Sequence, residues 1–270
     1  MLRWPAALLT SWNRLVSYAM TSGQHPLPAT PPRISVCMAS YRGALYIQEQ
    51  ISSILQELGP NDELVIVDDA SPDNTVNVIR EFTDSRVRLI QSASNAGYVR
   101  TFEKAILASR GQFIFLSDQD DVWVSGRVNQ MLEGLQRSAM VATNFAMLGG
   151  GPRPWIPQLQ PTMDSRRLAN LLGIMIGYRA YYGCGMAFRR ELIPVLTPIP
   201  EYVRESHDLW FAICGNVARS IAHLEAPSLL RRLHDQNETP SGFRSLRRIA
   251  AARVMLGRLL LEASRRLRTR

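Results

Sequence analysis

Cysteine is scarce in this chain: Cys37, Cys184 and Cys214 are its only three in 270 residues, far apart and with no CxxC among them. That count and spacing argue against a disulfide framework or a cysteine zinc cluster and suit a reducing compartment. Long apolar runs are missing as well, and no stretch reaches the roughly 18 residues a membrane span would need. Neither GxxxxGK[ST] nor GxGxxG occurs, so the phosphate-cradling loops of ATPases and of dinucleotide-binding proteins are absent; "GGGP" (149–152) matches neither. The body of the chain also lacks net charge. From Phe243 onward nine arginines and one glutamate supply the whole +8, and the other 242 residues hold 22 basic and 22 acidic side chains. No nucleic-acid partner is therefore expected, since the neutral body offers no basic footprint.

What remains is an ordinary globular balance, 46% apolar and 20% charged, in a length that suits one sizeable domain with appendages. The opening "MLRWPAALLTSWNRLVSYAM" is interrupted by Trp12, Asn13 and Arg14. No small-residue cleavage site follows it, so it reads as an amphipathic segment rather than a signal peptide. "SGQHPLPATPP" (22–32) reads as a Pro-rich linker. Strands and helices then alternate. "RISVCMAS" (33–40), "ELVIVDD" (63–69), "VRLIQS" (87–92) and "QFIFLSD" (112–118) are β-rich runs. Helical spacing marks 44–58 and 96–109, and a helix is expected in "SPDNTVNVIREF", with Ser71 as cap and Pro72 at its first position. Continuous apolar strands separated by helices predict a Rossmann-like, mostly parallel α/β sheet with helices on both faces.

The acidic residues fall at the ends of these strands: Asp68 and Asp69 after the second, and Asp118, Asp120 and Asp121 after the fourth. Open α/β sheets bind ligands beyond the carboxyl ends of their strands, so the two clusters should share one crevice. One helix cap does not need three carboxylates. Hard oxygen donors without cysteine pairs or closely spaced histidines favour Mg²⁺ or Mn²⁺, with substrate phosphates completing the coordination.

The segments "SVCMASYRG…YIQEQISSIL", "ELVIVDDASPDNT", "NAGYVRTFEKAI", "GQFIFLSDQDDVW", "GCGMAFRREL", "HDLW" and "LLRRLHDQN" follow one another in an order and spacing that resembles family 2 glycosyltransferases of the GT-A fold. The "SDQDDVW" form is similar to a rhamnosyltransferase-like branch. The resemblance covers about residues 33–240. It implies an N-terminal extension and linker (1–32), a GT-A domain (33–240) and a basic amphipathic helical tail (241–270).

By position, the resemblance implies that Ala39, Ser40 and Tyr41 pack against the nucleotide base and that Asp69 contacts it. Asn95, Gly97 and Arg100 would line the nucleotide pocket. Asp118 and Asp120 look like the DxD pair, Asp120 toward the metal and Asp118 toward the ribose as well, with His234 completing the metal site and Arg232 reaching the diphosphate. Asp208 matches the catalytic base, with His207 where the family often has a second acid. Arg231 stands where a tyrosine is usual. The chemistry implied is inverting transfer of a sugar, L-rhamnose from dTDP-L-rhamnose on this resemblance, from a dTDP-, UDP- or GDP-sugar to a hydroxyl of a glycan or lipid-linked acceptor. A cytoplasmic protein is expected, peripheral on the inner face of the membrane through contact of its basic tail with anionic lipid. A nucleotidyltransferase on the same scaffold would want a Gly-rich basic loop where "ASYRGALY" stands. A Mg²⁺-binding receiver-like signalling domain would be about half as long.

Overall fold

Two strands set the centre of the fold by sorting their side chains to opposite faces. Along β1 (Ile34–Ser40) and β2 (Glu63–Asp68), Cys37, Val65 and Val67 point into one hydrophobic cluster while Val36, Met38, Leu64 and Ile66 point into another. This is the two-residue period of a pleated strand, here apolar on both sides because helices cover both. The computed structural model, which describes residues 32–151, 157–179, 181–234 and 246–269, continues the pattern in β3 (Val87–Gln91) and β4 (Phe113–Ser117).

The connecting helices close the layers. α1 (Ile47–Glu57) buries Ile47, Ile51 and Ile54 on one face of the sheet, beside Ile79 of α2 (Thr75–Arg80). On the other face α3 (Tyr98–Ala108) buries Val99, Phe102, Ala105 and Ile106. Each such aliphatic side chain contributes roughly 1.5–3 kcal/mol relative to exposure. The expected start of α2 needs correction. Ser71 does not cap it and Pro72 precedes it, because the Ser71 hydroxyl and amide both bond the Asp68 carboxylate. Asp73 instead accepts from the Thr75 amide and hydroxyl at the helix start.

Beyond β4 the chain forms β5 (Val122–Trp123), α4 (Arg127–Arg137), β6 (Met140–Thr143), β7 (Ala146–Met147) and α5 (Arg167–Ile176). It then adds β8 (Met186–Arg189), α6 (Ile193–Leu196), α7 (His207–Val217), β9 (Ile221–Leu224), β10 (Leu229–Arg231) and α8 (Leu246–Arg268). Among the described residues the main sheet has the order β3-β2-β1-β4-β8-β6-β9, with β8 alone antiparallel to its neighbours. A second small sheet, β5-β10-β7, stands beside it. The carboxyl ends of β1, β2 and β4 therefore share an edge, as the alternation of elements predicts.

The opposite edge shows what a satisfied buried charge looks like. Glu63 accepts from Ser35 at 2.6 Å and pairs with Arg88 and Arg110. Burial works against its ionisation, but these partners hold its carboxyl below the usual range.

Residues 31–270 form one compact unit. The expected C-terminal basic helix is α8, docked on the domain: Leu256, Leu259 and Ala263 are buried in the same cluster as Trp210, Phe211 and Ile213 of α7. Arg266 donates to the carbonyls of Val195 and Pro198, and Arg258 lies over the Tyr202 ring at 4.0 Å. No helix of the described residues is long and apolar enough to cross a membrane. The expected N-terminal extension up to residue 31 and the "DQN" of the last motif lie outside the described residues.

Candidate active site

The carboxyl edge of the sheet carries the opposite electrostatic pattern from Glu63. Asp118, Asp121 and Cys184 bring one potential ligand atom each to within 4.8 Å of one another. Asp121 is buried, its Oδ2 has no hydrogen-bond partner, and its Oδ1 accepts from the Arg232 amide at 3.3 Å. Burial and the neighbouring carboxylates push Asp121 up to about 8, while burial and Asp120 push Asp118 up to about 6. Acids that resist ionisation until a cation arrives are what crowding predicts. The oxygen donors and the orphaned Asp121 Oδ2 fit a hard divalent ion; Cys184, whose thiol burial raises well above its ordinary range, is a packed neighbour rather than a ligand of that kind.

Asp120 and His234, expected to share the metal site, are brought together, with Oδ2 and Nε2 2.8 Å apart. The His234 ring stacks on Tyr46 at 4.7 Å, and Arg232 lies over the same tyrosine while donating to the Asp120 carbonyl and to Glu49 of α1. β5 and β10 pair antiparallel, Leu229 opposite Trp123, which places these two segments side by side. An open cavity of about 460 Å³, lined by Met147, Leu148, Gly149, Gly151, Arg232 and Leu233, adjoins them.

Asp208 lies in the first turn of α7, half-buried, after Ser206 in the left-handed region at φ 63°. Burial, with the charge of Asp118 adding to it, pushes Asp208 up to about 7. Gly183 explains how the preceding loop fits: a Cβ there would stand 2.9 Å from His207 Nε2 and 3.9 Å from Asp208 Cβ. His207 itself is enclosed by Phe102, Tyr98 and Phe211 with neither ring nitrogen partnered, and burial pushes it down to about 4, so it is neutral. It packs beside Asp208 and carries no charge into the crevice.

The side expected to face a nucleotide is built by backbone ties. The Asp69 carboxylate accepts from the amides of Ala96 and Gly97 at 2.9 and 2.8 Å, and Asn95 also accepts from Gly97. Gly97, at φ 84°, supplies the turn into α3. Asp69 thus fixes the Asn95–Gly97 segment beside the ends of β1, where Ala39 and Ser40 lie and the Ser40 carbonyl takes the Asp69 amide. Arg100 does not join this group. Its guanidinium pairs with Glu103 and donates to the carbonyls of Ile199 and Pro200, tying α3 to the segment before Asp208, as Tyr98 does by accepting from the Ser206 amide.

Two further residues are central to the arrangement; Gln119 had no signal of its own, and Arg231 stood out only as the residue in place of a usual tyrosine. Gln119, the middle of the DxD segment, exchanges hydrogen bonds with both the amide and the carbonyl of Tyr41, at 3.0 and 2.9 Å, which locks the nucleotide segment to the acidic loop. Arg231 is only 9% exposed and lies over the rings of Tyr182 and Phe145 at 4.8 and 5.5 Å. Its charge acts on Asp118, Asp121 and Asp208, lowering each of them. Burial opposes that charge, yet the surrounding acids hold the guanidinium protonated.

The architecture has solved counterparts. TarS of S. aureus, residues 1–349 in complex with UDP, aligns at a TM-score of 0.63 and 16% identity, covering 85% of this chain and 65% of that one. The mannosyltransferase PcManGT of Pyrobaculum calidifontis, in complex with GDP-Man and Mn²⁺, aligns at 0.57 and 17%, covering 97% and 81%. These likenesses establish the GT-A fold. In sequence, the UDP-Glc:alpha-D-GlcNAc-diphosphoundecaprenol beta-1,3-glucosyltransferase WfgD of Escherichia coli is 32% identical over 43% of this chain and 44% of its own length. The putative teichuronic acid biosynthesis glycosyltransferase TuaG of Bacillus subtilis is 30% identical over 46% and 50%. The chain thus spans about half the length of these curated relatives. Residues 35–196, more than half of the chain and including the acidic loop, Asn95–Gly97 and Gly183, match the family described as "Glycosyl transferase family 2": the chain belongs to that family.

Proposed function

We propose that this domain moves a hexose from a nucleoside-diphosphate sugar to a hydroxyl of a lipid-linked glycan precursor, with inversion at the anomeric carbon. The observation that carries the reading is Asp208, a half-buried carboxyl at a helix start that titrates near neutrality beside the Asp118 cluster. A base is most effective when its pKa lies near the working pH, and such a group supplies roughly 10²–10⁴-fold. Asp208 takes the acceptor proton as the acceptor oxygen bonds the anomeric carbon, and the bond from that carbon to the diphosphate oxygen breaks. Asp118 and Asp120 with His234 are the residues that would hold Mg²⁺ or Mn²⁺, with Asp121 beside them. A bound divalent ion offsets charge on the departing diphosphate. Arg232, which donates to Glu49 and to the Asp120 carbonyl, would turn to that diphosphate, and Ala39, Ser40, Tyr41, Asp69, Asn95 and Gly97 would frame the base and ribose.

A UDP-hexose donor and a polyprenyl-diphosphate-linked acceptor are favoured by the names of the relatives, WfgD and the similarly named WfaP. The dTDP-L-rhamnose reading rests on the form of the "SDQDDVW" segment alone and comes second.

Thermal-shift titration with UDP-glucose, UDP-GlcNAc, dTDP-L-rhamnose and GDP-mannose, each with and without Mn²⁺, tests the donor, because a ligand of the folded state raises the melting temperature by mass action. Asp208→Asn should keep the donor-induced shift and lose transfer by about 10²-fold or more. No shift with any sugar nucleotide would remove the donor reading, and full turnover in Asp208→Asn would remove the base.

A further inference from the structure

The outer face of α5 is apolar where a surface helix should be polar. Leu168, Leu172 and Ile176, at i, i+4 and i+8, are 66%, 65% and 68% exposed, and Tyr178 just beyond is 51% exposed. The window "LANLLGIMIGY" (168–178) holds no charged residue. Its inner side is already used: Ile174 is in the core, and Asn170 donates to Asn216 of α7 at 2.9 Å. Among the described residues nothing covers the outer side.

The four exposed side chains offer on the order of 500 Å² of apolar surface, near the upper end of what monomers show. That falls short of the roughly 800 Å² per partner of a stable protein interface. The rim of the stripe is basic. Arg166 and Arg167 precede it, and Arg253 of α8 donates to the Ile176 carbonyl at 2.8 Å. α8 carries seven arginines against Glu262, which is paired with Arg265 and Arg266. The carboxylate nearest in sequence, Asp164, is bonded to His223.

We infer that the α5 stripe with its arginine rim is a docking surface for an anionic phospholipid bilayer, its leucines and isoleucine entering the headgroup boundary while the arginines meet lipid phosphates. An apolar ridge a few turns long flanked by cations is the pattern of an interfacial helix. This replaces the apolar face of α8, which is buried against α7, as the surface that meets lipid. It also puts the bilayer beside the helix whose first turn bears Asp208, and a short stretch before Tyr182 and Gly183. The partner rests on the lipid-linked acceptor reading for its purpose. Vesicle binding is measured without donor or acceptor, so either can fail alone.

Full-length protein is co-sedimented with vesicles of phosphatidylcholine, and with vesicles of phosphatidylcholine and phosphatidylglycerol in equal parts. The protein should pellet with the anionic vesicles and be released by salt. The triple variant Leu168→Ser, Leu172→Ser, Ile176→Ser should bind about tenfold more weakly or worse, while its melting temperature and its shift with sugar nucleotide stay as in the parent. Three results would each overturn the inference. The parent could remain in the supernatant; the triple variant could pellet as the parent does, which assigns binding elsewhere; or light scattering could find a dimer that the variant loses, which gives the face to a second copy. Vesicle binding without any response to sugar nucleotides would leave the inference standing and remove the donor reading instead.

Discussion

A buried guanidinium among carboxylates is stable only while both signs are present. Arg231 supplies the cation that Asp118, Asp121 and Asp208 lack before any ligand arrives, and the faces of Tyr182 and Phe145 keep it in place. Arg231→Met should therefore destabilise the ligand-free domain above about pH 8, where these acids ionise, by about 3–5 kcal/mol, the usual cost of removing one partner from a buried charge set. Arg231→Lys should recover part of the loss, and Mn²⁺ should raise the melting temperature of the methionine variant more than that of the parent. An unchanged melting temperature in Arg231→Met would show that the acids do not depend on it. Single residues were legible where a motif names them: Asp118, Asp120, Asp208 and His234 stand out by type and order. Arg231 and Gln119 were not, because their partners come from segments far along the chain and only the folded backbone brings Tyr182 or Tyr41 beside them.

Elements were legible in proportion to how simply they are buried. β1, β2 and β4 are covered on both faces, so their apolar runs are continuous, and the limits of all four strands from β1 to β4 fall within about two residues of those expected. The start of α2 was misread because Ser71 satisfies the Asp68 carboxylate rather than the helix end. α8 shows a different limit: its arginines do not form a clean stripe, since several of them are structural, Arg258 on Tyr202 and Arg266 on Trp210 and two carbonyls. Leu259 is fully buried between α8 and the core. Leu259→Ala should lower the unfolding free energy by about 2–5 kcal/mol in a denaturant titration, with a single transition for the whole domain. A loss confined to a separate, early transition would mean that α8 is an appendage after all.

For the molecule as a whole, the crevice sets how stability depends on pH. Asp121 and Asp208 are pushed up to about 8 and about 7 by burial and by neighbouring carboxylates. A raised acid holds its proton in the folded state after the unfolded chain has lost it. The stability it contributes is full below the ordinary carboxylate range and is lost as pH rises through the folded value. His207 acts in the opposite sense: burial pushes it down to about 4 from 6.5, so its contribution is present above 6.5 and lost as pH falls toward 4. Between pH 6.5 and about 8 the acids act without that opposition, and the melting temperature of metal-free protein should fall across the window, as differential scanning would record. A rise there would contradict the assigned charge states. Mn²⁺ with a nucleoside diphosphate should flatten the slope, since the carboxylates then ionise against a cation.

One consequence follows from the single reversed strand. β6 runs out toward the crevice and β8 runs back from it, with Ala142 opposite Met186, so residues 144–185 leave and return on the same side of the sheet. In topological terms that long excursion stands in for a hairpin turn. Within its described residues β7 pairs with β10 of the small sheet, so a change of length beyond β7 leaves the register of the seven-stranded sheet as it is. Under the proposed function, descendants of this chain thus have a cheap way to change which molecule receives the sugar while keeping the one that gives it.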